Sequence, residues 1–210
     1  NLSTYIAAKT FSPGTDNPNG ALSQYALMDS TEKAQATQVS IIDYLRGQSQ
    51  HEDQSGNTYR LYRDRTHVLG DIVNAAPVFV RKPPFAYNDN NYATFATTTA
   101  TRQPVVYAGG NDGMLHAFNG DTGDELWSFV PSAVIPQLYK LADKTYSTNH
   151  RFYVDGPITV ADICPGSSCS ASQWKTILVG GLGKGGRSFY ALDVTDPTSP
   201  SLMWEFTDTN

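Results

Sequence analysis

Two stretches of this 210-residue chain repeat each other, and each is a series of strand-length apolar runs divided by Gly, Asn, Asp and Pro turns. The first runs Val105-Val106-Tyr107-Ala108-Gly109-Gly110, Asn111-Asp112-Gly113, Met114 to Phe118, Asn119 to Gly123, then Glu125-Leu126-Trp127-Ser128-Phe129. The second runs Thr176-Ile177-Leu178-Val179-Gly180-Gly181, a glycine-rich turn, Ser188 to Val194, then Leu202-Met203-Trp204-Glu205-Phe206. Upstream, Ala76-Pro77-Val78-Phe79-Val80 matches Gly156-Pro157-Ile158-Thr159-Val160. Each unit therefore offers four strand candidates, the pattern of a β-propeller blade. Length differences between the units fall in the turns, where such folds vary. The expected fold is mainly β: a partial β-propeller of about two four-stranded blades, over 68–130 and 150–207 within 68–210. An N-terminal segment, 1–67, precedes it and carries one α-helix.

Turn chemistry supports the repeat. In Gly109-Gly110-Asn111-Asp112-Gly113 the Gly, Asn and Asp residues accept positive φ cheaply, so a hairpin can reverse there. Gly183-Lys184-Gly185-Gly186 plays the same part in the second unit. A phosphate cradle is the alternative, but no GxxxxGK[ST] between strand and helix is present. Trp127 and Trp204 recur at one place in each unit and are expected to wedge between neighbouring sheets. Burying such an indole contributes on the order of 3 kcal/mol; sugar stacking is the competing use. A closed ring needs about four blades or more. Two blades imply a piece of a longer protein, or pairing with another chain, and an open edge at the last strand.

Composition removes several classes. Lys and Arg number 15 against 20 Asp and Glu, a net charge of −5, which argues against a nucleic-acid surface. No apolar run is long enough to span a membrane. Asn1 to Thr10 lacks a basic start followed by an apolar run, so no signal peptide is read there, and the abrupt start fits a mature or truncated product. Cys164 and Cys169 flank Pro165-Gly166-Ser167-Ser168. That spacing suits a small disulfide loop and an oxidising compartment; two free surface thiols are the alternative. The four His, at 51, 67, 116 and 150, are too scattered to complete a zinc site with them.

Elsewhere, Asp29 as N-cap with Glu32 three residues on predicts a helix over about 30–46. Its stripe is Val39, Ile42 and Leu45, and Gly47 is its stop. Tyr59 to Tyr62 reads as a short strand, and Val68 to Val80 as a strand entry with Pro77 at a strand start or an unpaired position. Residues 82–103 read as a long insertion, and 131–142 as a short helix between blades. His116 and His150 lack a Ser or Cys in a nucleophile elbow. No catalytic residue is assigned, and no turnover is expected.

At Val68-Leu69-Gly70-Asp71-Ile72-Val73-Asn74-Ala75-Ala76-Pro77-Val78 the chain resembles the PilC/PilY family of type IV pilus tip adhesins and assembly factors. The resemblance continues through Tyr107 to Phe118, His150 to Pro157, Trp174-Lys175-Thr176, Gly180 to Arg187, Tyr190 to Pro197 and Leu202 to Phe206. Asp43-Tyr44-Leu45-Arg46-Gly47 fits the helix before the family's propeller. The resemblance implies a non-enzymatic protein, secreted or held at the cell surface, pilus tip or outer membrane. It implies minor pilins as partners, and roles in pilus extension, attachment and twitching motility, with the surface ligand unspecified. The family's calcium loop, D-x-D-x-D-G-x-x-D, is not in this chain; it would lie in the remainder of the propeller. Asn88-Asp89-Asn90-Asn91 and Asp193-Val194-Thr195-Asp196 lack that spacing and read as turns. No cofactor is assigned. The residues expected to build the blades are Gly109, Gly110, Asn111, Asp112, Gly113, Trp127, Gly180, Gly181, Gly185, Gly186, Asp193 and Trp204. Two other readings share the repeat: Asp112 to Phe118 with Thr122 to Trp127 also resembles the quinoprotein-like repeat of pyrroloquinoline-quinone dehydrogenase propellers, whose adjacent cysteines are missing here, and a generic outer-membrane scaffold is the other.

Overall fold

A computed structural model describes residues 22–208, which divide into two compact units. One takes the residues up to Asp71 together with Ala133–Phe152; the other takes Ile72–Ser132 and the residues from Tyr153 onward. The segment expected to be a helix between blades, 131–142, is a 3₁₀ run, Ser132–Ala142, and most of it groups with the N-terminal residues rather than with the sheets.

In the first unit the single helix expected over 30–46 is two helices, α1 (Ser30–Gln35) and α2 (Gln38–Leu45). Asp29 caps α1 in a capping box with Glu32. Thr37 leaves helical geometry at φ −94°, ψ 171° and opens a second box with Ser40, so the chain stops and restarts within two residues. The restart changes the phase of the apolar stripe. Ile41, Tyr44 and Leu45 are buried, whereas Val39 is 67% exposed. Gly47 ends α2 at φ +94°, as its position suggested. The strand expected at Tyr59–Tyr62 is only an isolated bridge between Glu52 and Tyr62. The loop is held instead by long-range hydrogen bonds: Gln24 Nε2 donates to the carbonyls of Leu61 and Ala142, at 3.0 Å each.

The second unit contains two four-stranded antiparallel sheets. The first is β1 (Val78–Val80), β2 (Val105–Gly109), β3 (Leu115–Asn119) and β4 (Glu125–Phe129); the second is β5 (Ile158–Ile163), β6 (Lys175–Gly181), β7 (Ser188–Asp193) and β8 (Ser201–Thr207). Strands pair in chain order, the meander of a propeller blade. Of the strand entry expected over 68–80, only Val78–Val80 is strand. The insertion between β1 and β2 carries a helix the sequence reading omitted, α3 (Tyr92–Thr98), preceded by Asn91 at φ +62°.

Register refines the repeat. Trp127 pairs with Ala117 and Trp204 with Ala191, and in each sheet the ladder slips immediately after that alanine. Ala117 in turn pairs with Tyr107, and Ala191 with Val179. Structurally, Gly109 therefore corresponds to Gly181, not to Gly180. Aligning the two Gly-Gly pairs directly, as the sequence invites, is off by one residue and would exchange the faces of the strand. With the register set, Tyr107, Ala117, Trp127 and Phe129 share one face of the first sheet. Tyr190 and Leu192 lie on the opposite face of the second, and β1 and β2 lie against β5.

Candidate functional site

Of the residues singled out from sequence, Trp127, Gly109, Gly110, Asn111 and Gly185 lie at the joint between the two sheets, and Trp204 does not. At the outer end of the joint, Trp127 Nε1 donates to the Pro197 carbonyl at 2.8 Å. Its ring is tilted against Tyr107, centroids 5.8 Å apart. Beside it Phe129 meets Tyr190 at 5.3 Å, and the Ser132 N–H donates to Glu205 at 2.7 Å. Asp193 shapes the hairpin that presents Pro197: its carboxylate pairs with Lys175 and accepts from the Thr195 N–H and hydroxyl. Trp204 holds the same register position in the second sheet but is 44% exposed. One indole is thus latched to the neighbouring sheet, and its counterpart has no such cover among the described residues.

Towards the inner strands the glycines act by making room. A Cβ on Gly109 would lie 2.5 Å from the Val154 carbonyl oxygen, and one on Gly180 2.3 Å from the Tyr190 hydroxyl. At Gly181 the neighbour is Phe189, at 3.0 Å. Gly113 and Gly186 sit at φ +93° and +154°, where a side chain is strained. Gly110 accepts from the Val154 N–H at 3.4 Å, and Asn111 Oδ1 from the Tyr153 N–H at 3.0 Å. The chain entering the second sheet is therefore strung along the first sheet's turn. Asp155, buried, receives the backbone and side-chain N–H groups of Asn74 at 3.1 and 2.6 Å.

The β1–β2 insertion supplies a second clamp. Tyr92 donates to buried Asp162 at 2.7 Å, Asp162 also accepts from Thr176 at 2.6 Å, and Arg102 donates to the Thr176 hydroxyl at 2.7 Å. Trp174 Nε1 donates to the Asn90 carbonyl at 3.1 Å, and Asn91 Nδ2 to the Cys169 carbonyl at 2.9 Å. Tyr92, Phe95, Trp174 and Cys169 form one buried cluster. Cys164 and Cys169 are joined as a disulfide, so the reading with two free thiols falls. The bridge closes a loop of sequence separation 5, which places its chain-entropy contribution at about 2 kcal/mol. Reduction is expected to lower the melting temperature and expose residues 82–103 to protease. Unchanged melting with and without reductant would show that the aromatic cluster holds the clamp unaided.

His116 occupies the other face of the first sheet. Nδ1 is 2.7 Å from Glu125, and Nε2 is 3.1 and 3.0 Å from the two Asp112 oxygens. Burial by itself would push the imidazole pKa down, but the two carboxylates, one at each nitrogen, hold it above the usual value. A folded value above the unfolded one, about 6.5, means the stabilisation is complete below pH ~6.5. It fades as pH rises through the folded value. Urea midpoints measured from acid to alkaline pH should show this loss in the native protein and not in His116→Asn; parallel curves would refute the assignment. With both nitrogens engaged by carboxylates, His116 is not placed to activate a hydroxyl. His150 pairs with Asp71 at 3.0 Å.

The candidate calcium segments serve as turns: Asp193 as above, and Asn91 as the residue before α3. Among the described residues no group of three or more His, Cys, Asp or Glu could hold a metal. No helix among them is long and apolar enough to cross a membrane. Asp155, Asp162, Tyr92 and Trp174 have no role assigned from sequence, although Asp155 and Trp174 fall in segments that carry the family resemblance. Asp155 and Asp162 are acids within apolar runs, and a buried acid demands a partner; that was the available signal.

Comparison with known proteins places the joint within a wider group. A family model described as the PilY1 beta-propeller domain matches residues 69–209. A type IV pilus biogenesis factor PilY1 homolog of Xylella fastidiosa is 44% identical over 173 residues, covering 79% of this chain. Type IV pilus biogenesis factor PilY1 of Pseudomonas aeruginosa is 41% identical over 172 residues, covering 78%. The chain spans 14% of the length of each. The crystal structure of the Pseudomonas aeruginosa PilY1 C-terminal domain shares 38% identity at a TM-score of 0.47, covering 61% of this chain and 25% of that one.

Proposed function

Since the chain belongs to the PilY1 β-propeller family, we propose that it is a section of the propeller of a type IV pilus biogenesis factor and that it works by binding rather than by catalysis. The match over 69–209 carries this reading. The relatives are named as pilus biogenesis factors. The chemistry of the joint agrees: its carboxylates, indoles and glycines are used in holding one sheet to the next.

On this reading the protein acts at the cell surface, at the pilus tip or outer membrane. Its partners are minor pilins and the remainder of the propeller, and its output is pilus extension, attachment and twitching. Calcium belongs to other parts of the propeller, and this section needs no cofactor. The test is made in the protein as its cell produces it, with the joint broken by Gly185→Ala. Surface pili and twitching zones should be lost, and minor pilins should no longer be captured. Normal piliation with a demonstrably unfolded propeller would overturn the proposal. So would dye-linked alcohol oxidation on adding pyrroloquinoline quinone and calcium, which belongs to the dehydrogenase reading.

A further inference from the structure

Inside the two-sheet unit three buried polar groups have no hydrogen-bond partner among the described residues: the Nη2 arm of Arg102 and the hydroxyls of Tyr107 and Tyr190. Two of them belong together. Arg102 spends its other arms on protein: Nε donates to the Arg81 carbonyl at 2.5 Å, and Nη1 to the Thr176 hydroxyl at 2.7 Å. Those two bonds fix the plane of the guanidinium and hence the direction of Nη2. Tyr107, on β2, is wholly buried. Burial holds its phenol above the usual value, Arg102 pulls it down and Asp196 pushes it up, so the phenol lies within electrostatic reach of that guanidinium. Tyr190 differs. Its hydroxyl lies over Gly180, and burial alone raises it.

We propose that Arg102 Nη2 and the Tyr107 hydroxyl form a site for one internal water, which bridges them. The water accepts from the guanidinium N–H, and the phenol, able to donate or to accept, completes the bridge. Buried waters are held in this way by polar groups that would otherwise go unsatisfied. The ligand is neutral because the local charge is already balanced. Arg102 donates to Thr176, and Thr176 donates to buried Asp162 at 2.6 Å, so a carboxylate stands one hydroxyl away from the cation. Asp196 acts on the phenol from its own side. A chloride would meet two carboxylates for one guanidinium, whereas water meets no such repulsion. The site also falls outside the repeat. Tyr107 pairs with Ala117, and the residue that pairs with the matching Ala191 is Val179, which has no hydroxyl to offer. It is a feature of this one joint, where the end of the β1–β2 insertion meets both sheets.

The experiment is a crystal structure of the protein as its cell produces it, grown or soaked in sodium bromide, at a resolution that places solvent. The expected result is one solvent peak about 2.7–3.2 Å from both Arg102 Nη2 and the Tyr107 hydroxyl, without anomalous scattering from bromide. A bromide signal there makes it an anion site and overturns the proposal; so does a peak touching only one of the two groups, or no peak. A second measurement compares two conservative variants. Tyr107→Phe takes a partner from the water and from Nη2, and should lower the urea midpoint by about 0.5 M. Tyr190→Phe removes a hydroxyl that has no partner, and should leave the midpoint unchanged or raise it. A midpoint for Tyr107→Phe equal to or above that of Tyr190→Phe overturns the bridge. Neither readout depends on piliation, so the water site and the pilus role fail separately.

Discussion

Gly185→Ala is expected to prevent stable folding of the two-sheet unit. A Cβ there would lie 1.7 Å from the Tyr153 carbonyl oxygen, 2.4 Å from its carbon and 2.6 Å from its Cα. All three are backbone atoms, so no rotamer change relieves the overlap. Tyr153 cannot easily retreat, because its N–H is held by Asn111 at 3.0 Å. The next residues are tied as well, Val154 to Gly110 at 3.4 Å and Asp155 to Leu182 at 3.2 Å. Relief means breaking the joint, a loss of about 4 kcal/mol or more, in the range reserved for gross steric or network failure. Chemical denaturation and limited proteolysis measure it. Gly56→Ala is the control: Gly56 has φ +104° but nothing within 4 Å, so only the backbone strain of about 1–2 kcal/mol is paid. Equal losses in the two variants would mean that the Tyr153 segment yields and that the close approach is not what holds the sheets together.

Glu52→Ala should damage the first unit almost as badly, for an electrostatic reason. Glu52 and Arg65 pair with side chains only 2% and 6% exposed. Arg65 Nε donates to Oε1 at 2.7 Å, and the Arg65 N–H donates to Oε2 at 3.0 Å. The guanidinium lies 3.7 Å from the centroid of the Tyr44 ring. Removing the carboxylate strands a desolvated cation, which costs about 3–5 kcal/mol. Removing both charges does not: Glu52→Leu with Arg65→Met should recover most of the loss, because an apolar pair of similar volume escapes the desolvation penalty. A double-mutant cycle on urea midpoints gives the coupling. If Glu52→Ala alone costs less than about 1 kcal/mol, the pair behaves as a surface salt bridge and its burial is not felt.

Local signals were read successfully where one residue's own chemistry decides the outcome. Asp29 with Glu32 starts a helix wherever that segment sits, and Gly47 ends one. Asn111-Asp112-Gly113 turns the chain between two apolar runs. The division at Thr37 is harder to see: Thr37 with Ser40 is a weaker capping pair than Asp29 with Glu32, and it lies inside a stretch whose apolar spacing reads as one continuous helix. Val39 entered the expected core only because the phase was carried across that break. α3 was overlooked because its threonines and alanines lack a clear apolar period. Its two anchors, Tyr92 and Phe95, are buried by Trp174 and Cys169, residues far along the chain.

From the residues alone came the repeat itself, the four-strand unit, the glycine-rich turns and the proximity of Cys164 to Cys169, because turns and alternation are written within a few neighbouring positions. Tertiary structure alone decided that Gly109 answers to Gly181, since register is set by pairing across strands and a shift of one residue exchanges the faces. It alone separated the fates of two indoles at equivalent positions of the repeat. Trp127 reaches the Pro197 carbonyl and Trp204 lies in the open, because burial belongs to whatever sheet stands opposite, and no window of sequence around either tryptophan contains that neighbour.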